Sequence, residues 1–150
     1  MNPSLPAGVH ATALRVYETI LHNVEQKTEL IPLASMGLLP FFEHSNTQNK
    51  HTVLKILEEH FVNEIEGVQM IVGLMNALLT VFNENSEELA KKVFNICEKI
   101  GKNYGKMWVD GAVWVNILKS PKVRLAGFKY FTKVFRDRDR LAQSEKEKDN

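Results

Sequence analysis

Five histidines, one cysteine and two close pairs of glutamates are the side chains of this 150-residue chain whose chemistry could reach beyond packing. His10, His22, His44, His51 and His60 are scattered. None forms the HExxH pair that sets two imidazoles one helical turn apart on a metal ion, and "EEHF" (58–61) lacks the second histidine. Cys97 falls on the apolar stripe of its segment, so it reads as a buried, inert thiol rather than a nucleophile. Glu58 and Glu59 are adjacent, and Glu64 and Glu66 stand two apart; neighbours at those spacings do not face each other on a helix. "GLMNALL" and "GKNYG" carry glycines without the strand–glycine–helix setting of a phosphate loop. With no acid–base–nucleophile set, the chain is expected to be no enzyme and to need no metal or cofactor.

A second set is basic. In and after "SPKVRLAGFKYFTKVF" (120–135), Lys129, Lys133, Arg136 and Arg140 recur at spacings of four, three and four, and Lys122 lies seven before Lys129. At about 100° per residue all five fall within roughly 60° of one helix face. Such a stripe suits an anionic partner, either a phosphoinositide-bearing membrane or an acidic protein segment, though a plain solvated face has the same pattern. Phe128, Phe131 and Phe135 occupy a separate arc expected to face the core. Buried aromatics and a net charge of only +1 argue against nucleic acid. Arg124 projects within the phenylalanine arc. A guanidinium there is expected to be buried and to bond carbonyls or a carboxylate at a helix junction.

The elements that carry these residues follow from composition and period. Hydrophobic residues make up 44% and charged residues 25%, so one domain with a real core is expected. A single cysteine excludes an internal disulfide and fits a reducing compartment. The N-terminus lacks a signal-peptide pattern, and neither a myristoylation nor a prenylation signal is present. The most apolar stretch, "VQMIVGLMNALLTVF" (68–82), spans about 22 Å as a helix, short of a bilayer core of roughly 30 Å. Only Gln69, Gly73, Asn76 and Thr80 form a polar stripe on it, so it belongs at the centre of the domain, with Gly73 admitting a close helix neighbour.

The remaining segments also read as helices. "HATALRVYETILHNV" offers Ala13, Val16, Tyr17, Ile20 and Val24 as its buried stripe. Pro32, Gly37 and Pro40 divide the next stretch into two short pieces. Val53, Leu54, Leu57 and Phe61 face inward, with Lys55, Glu58 and Glu59 outside. Asn85 and Glu88 resemble a capping box before the stripe Ala90, Val93, Phe94, Cys97 and Ile100. "KMWVDGAVWVNILK" packs Trp108, Ala112, Val115 and Leu118; a hairpin about Asp110–Gly111 is the weaker reading. Ser120 caps the last helix with Pro121 at its first position. Residues 137–150 form a charged tail expected to be disordered. The expected architecture is all-α, about seven short antiparallel helices in an armadillo/HEAT-like α-solenoid segment covering residues 1–136.

Four blocks then carry a family likeness: "LPAGVHATALRVYETI" (5–20), "MGLLPFF" (36–42), "VLKILEEHF" (53–61) and "SPKVRLAGFKYF" (120–131). Their order and spacing resemble the N-terminal domain of the Dopey family. The loop "EHSNTQNK" and the charged tail depart from it. The resemblance implies a non-enzymatic, armadillo-like segment of a large peripheral protein in membrane traffic, on the cytoplasmic face of Golgi and endosomal membranes. It implies a longer protein of which this chain is an N-terminal piece. The partners it implies are a large Golgi scaffold related to the Arf exchange factors and, in some lineages, a phospholipid flippase of the P-type ATPase superfamily. Pro121, Val123, Arg124 and Leu125, with Ser120, resemble a family signature read as structural. The alternative is a helical-repeat module that binds protein or RNA outside membrane traffic.

Overall fold

A helix that is apolar on nearly every side must be wrapped by others, and the segment from Val68 is built that way. In the computed structural model, which describes residues 5–24, 27–109 and 112–149, it forms α4 (Val68–Leu78) and then tightens into a 3₁₀ turn, Leu79–Asn83. Around it run α1 (Ala7–Asn23), α2 (Lys27–His44), α3 (Thr47–Ile56), α5 (Glu87–Asn103), α6 (Gly105–Val109), α7 (Ala112–Lys119) and α8 (Arg124–Lys148). The fold is all-α, with no strand among the described residues. Helix α4 packs on α2, α5 and α7, and buries Ile71, Leu74, Met75 and Leu78. Its polar residues turn back on their own backbone: Asn76 donates to the Val72 carbonyl at 3.0 Å, and Thr80 to that of Ala77 at 2.6 Å. Neither leaves an unsatisfied group in the core.

The expected stripes hold on α3 and α5. Val53, Leu54, Leu57 and Phe61 are buried while Lys55, Glu58 and Glu59 are exposed; Val93, Cys97 and Ile100 are buried with Ala90 and Phe94 beside them. A π-turn, Leu57–Phe61, ends the α3 segment. The cap of α5 lies one residue later than the sequence suggests. Ser86, not Asn85, accepts the Leu89 N–H.

Five expectations need correction. On α7 the buried residues are Val113 and Ile117, while Val115 is exposed. Helix α1 buries His10, Leu14 and Leu21, with Tyr17 half-covered, and leaves Val16 and Ile20 outside. Two apolar stripes overlap on it, and the packing of His10 against Phe41 (ring centroids 4.7 Å apart) selects the other one. Helix α2 is continuous through Pro32 and Pro40. Both prolines are exposed, so water can meet the carbonyl that each leaves unpaired four residues back. Gly73 meets nothing closer than Leu39 Cδ1 at 4.0 Å from a Cβ placed there; the close approaches are at Gly37 and Gly127. A Cβ at Gly37 would lie 2.5 Å from the Tyr17 hydroxyl oxygen, and one at Gly127 would lie 3.2 Å from Ile117 Cγ2. Residues 137–148, expected to be disordered, continue α8 as an exposed helical end. Their Leu, Ala, Gln, Glu and Lys side chains favour helix once a packed first half has nucleated it. Asp110–Gly111 and the side chains of Trp108 and Ala112 lie outside the described residues.

One buried charge ties α3 to the end of the 3₁₀ turn. Lys50, on α3, keeps only 5% of its side-chain surface exposed and is paired with Glu84, just after the 3₁₀ turn, with the Phe42 ring 5.7 Å below. Removing one member of such a pair strands the other. Glu84→Gln is expected to cost about 2 kcal/mol in urea unfolding, and pairing it with Lys50→Met should recover most of that loss. Gly73→Ala should stabilise the chain by roughly 0.5–1 kcal/mol, because the helix gains propensity and the site has room. Thermal melting checks both.

Candidate interaction surface

Two chemistry-bearing side chains of the interior, Cys97 and Tyr130, are held in their protonated forms. Cys97 is fully buried with Sγ 3.6 Å from Met75 Sδ, and burial, then the nearby Glu98 carboxylate, pushes its thiol pKa far up. Tyr130 donates a 2.5 Å hydrogen bond to Glu98; burial first and this bond second push its pKa far up as well. Among the described residues no three His, Cys, Asp or Glu side chains come together as a metal site would require. Nor is any described helix long and apolar enough to cross a membrane. A groove of about 700 Å³ between α3 and α5 is bordered by opposed charges. Lys99 pairs there with Glu58, and His51 Nδ1 lies 2.8 Å from Lys92 Nζ. That groove is an ionic seam between two helices.

The surface of α8 differs. The helix begins at Arg124, three residues after Pro121, because the Ser120 carbonyl accepts the N–H groups of Val123 and Arg124 in a turn. Ser120 thus contributes through its backbone rather than as a side-chain cap. Val123 is fully buried, and Pro121 and Leu125 are exposed. Arg124 is exposed too, contrary to expectation, yet does the work foreseen for it. Its Nε donates to the Leu118 carbonyl at 2.7 Å and its guanidinium reaches that of Lys119 at 3.5 Å. These carbonyls end α7 and lack helical partners, so the cation satisfies them and meets the negative end of the helix dipole.

The five bases of the stripe divide their roles. Lys122 pairs with Glu43 at the end of α2. Lys129 donates to the Phe82 carbonyl at 3.2 Å, and Lys133 lies 4.4 Å from the centre of the Phe94 ring. Arg136 and Arg140 are exposed and line, with Lys129 and Lys133, a groove of about 620 Å³ along α8. Three bases therefore hold α8 to the body, and all but Lys122 border one surface.

The phenylalanines do not sit together. Phe131 packs against Trp114, with ring centroids 4.3 Å apart, in an aromatic cluster with Tyr130. Phe128 and Phe135 are 54% and 60% exposed. At about 100° per residue, the buried residues Ala126, Gly127 and Tyr130 lie on the opposite side of α8 from Phe128. Sequence reasoning missed these outward aromatics. Their spacing alone cannot say which arc of a helix with apolar residues all round meets the body.

A family profile described as "Dopey, N-terminal" matches residues 1–150. The chain is similar to "Protein pad-1" of Caenorhabditis elegans, at 26% identity over 138 residues covering 90% of this chain and 6% of that protein. It is similar to "Protein DOP1B" of Mus musculus, at 27% identity over 132 residues covering 83% of this chain and 6% of that protein. "Protein DOP1B" of Xenopus laevis matches at 26% over the same length. The chain thus spans about 6% of the length of these relatives. No solved structure matches.

Arg124→Ala should lower stability by about 1 kcal/mol, the worth of exposed charge-assisted bonds rather than of a buried ion. Arg124→Lys should restore only part of it, since lysine cannot offer Nε to one carbonyl and a second nitrogen to the next. For a chain of this size the alanine loss appears as a melting shift of about 2–4 °C.

Proposed function

The chain belongs to the Dopey family, and on that premise we propose that it is a non-enzymatic docking module of a peripheral membrane-traffic scaffold. In this reading its helices form an armadillo/HEAT-like layer at the start of a longer solenoid. That protein works on the cytoplasmic face of Golgi and endosomal membranes. Its partners are those the family resemblance implies: a large Golgi scaffold related to the Arf exchange factors, and a phospholipid flippase.

The observation that supports docking is the placement of apolar side chains. Val9, Val16 and Ile20 are exposed along α1, Met36 is exposed on α2, and Leu125, Phe128 and Phe135 are exposed along α8. A chain with a complete core under these surfaces has no need of these residues for folding, and apolar surfaces of this kind serve contact with other molecules. The exposed Arg136 and Arg140 add an electrostatic component toward an anionic surface, a lipid headgroup layer included.

The test is to express the full-length protein with a fluorescent tag. Puncta coinciding with Golgi or endosomal markers are expected. Diffuse cytosolic or nuclear signal would favour a helical-repeat module that binds protein or RNA outside membrane traffic.

A further inference from the structure

The outer face of α8 has the pattern of one half of a coiled coil. Leu125, Phe128, Thr132 and Phe135 recur at spacings of three, four and three, the a and d positions of a heptad, within about 80° of arc. Leu125 is 62% exposed, beside the two exposed phenylalanines. Thr132 turns its hydroxyl back to the Phe128 carbonyl at 2.9 Å, which leaves its methyl group for the seam. Cations flank this seam: Lys129, Arg136 and Arg140 on one side, Arg138 on the other, all exposed.

We propose that this face docks an amphipathic helix of a partner protein whose apolar a/d seam is flanked by acidic residues. The proposal rests on the docking reading above and names the chemistry of one partner. Flanking charges select the partner of a coiled-coil seam, and here they are positive on both sides. A second copy of α8 would set cation against cation along the contact, so self-pairing is disfavoured. A lipid surface fits less well. The next seam position after Phe135 is Asp139, also exposed, and a membrane would press that carboxylate against anionic headgroups. A partner helix needs only one basic residue opposite it.

The probe is a synthetic, fluorescein-labelled 21-residue peptide with leucine at a and d, except for one lysine at a terminal seam position to meet Asp139, and with glutamate at e and g. It is titrated with the 150-residue chain and followed by fluorescence anisotropy. A second peptide carries lysine at e and g. Saturable binding of the acidic peptide is expected, with the basic peptide at least tenfold weaker. Phe128→Ser with Phe135→Ser should weaken the acidic peptide roughly tenfold or more, as loss of central apolar anchors does. Both residues are exposed, so the melting temperature should hold, and circular dichroism confirms that the variant is folded. Arg136→Glu with Arg140→Glu should reverse the preference toward the basic peptide. Equal binding of the two peptides, or no binding of either, overturns the proposal. So does flotation of the chain with phosphatidylserine vesicles that depends on Phe128 and Phe135 while the acidic peptide fails to bind, which would make the face a membrane contact. Failure in this assay alongside Golgi or endosomal puncta would remove this partner chemistry and leave the traffic reading standing.

Discussion

The structure is organised by the need to cover α4. Ile71, Leu74, Met75 and Leu78 are fully buried, and the helix has too thin a polar stripe to lie against water. Helix α2 covers one side, α5 and α7 others, and the 3₁₀ turn after Leu78 meets α8. That turn fixes the position of the last helix as well as the end of the central one. It presents the Phe82 carbonyl, with no helix continuing beyond it, where Lys129 can donate to it. The contacts of α8 with the body are thus consequences of how the central helix stops.

Charge is distributed in keeping with that core. Lys50 is nearly sealed and needs Glu84, because an uncompensated ammonium in an apolar setting costs several kcal/mol. The pairs Lys55–Glu18, Lys99–Glu58 and Lys122–Glu43 lie at helix seams and are more exposed. Pairs of that kind contribute little energy each, about 0–1 kcal/mol. Their effect is on register, since Lys55 and Lys99 each join two helical segments at one angular setting and Lys122 ties the turn before α8 to the end of α2. Lys55 shows the local consequence. Its hydrogen bond to Glu18, then the charges of Glu18 and Glu59, raise its pKa, so it remains a cation across the physiological range.

The sequence was most legible where one stripe dominates. On α3 and α5 a single set of apolar residues at helical spacing leaves no alternative, and the structure buries that set. On α1 two sets compete, Leu14 with Leu21 against Val16 with Ile20, and local period cannot rank them. The choice is made by distant residues: Phe41 receives His10, and Gly37 leaves room for the Tyr17 hydroxyl. The prolines of α2 failed as helix breakers for a similar reason. The cost of a mid-helix proline, about 3 kcal/mol, is offset here by the packing of α2, and only the fold decides whether the freed carbonyls face water. The basic stripe was found from spacing alone, but not its division of roles. The engagements of Lys122 with Glu43, Lys129 with Phe82 and Lys133 with Phe94 link residues between 39 and 79 positions apart.

The outward turn of Phe128 and Phe135 follows from the small residues beside them. Ala126 and Gly127 sit where α8 meets α7, and Gly127 brings the helix so near that a Cβ there would already touch Ile117 at 3.2 Å. Close approach of the backbones leaves a shallow space between the helices. Tyr130, Phe131 and Trp114 fill it, with Tyr130 and Trp114 stacked at 5.3 Å. Two more aromatic rings would overfill that layer, and overpacking costs typically 1–3 kcal/mol. The Phe128 ring therefore lies on the far side of the helix and the Phe135 ring at its edge, in a groove with Gly101 and Lys102 of α5, and each retains an unrealised burial gain of up to about 1.5–3 kcal/mol. A helix packed this tightly on one face and apolar on the other is stable alone, yet gains whenever a complementary apolar surface covers it. The positive charges along its edge decide which surfaces can come that close.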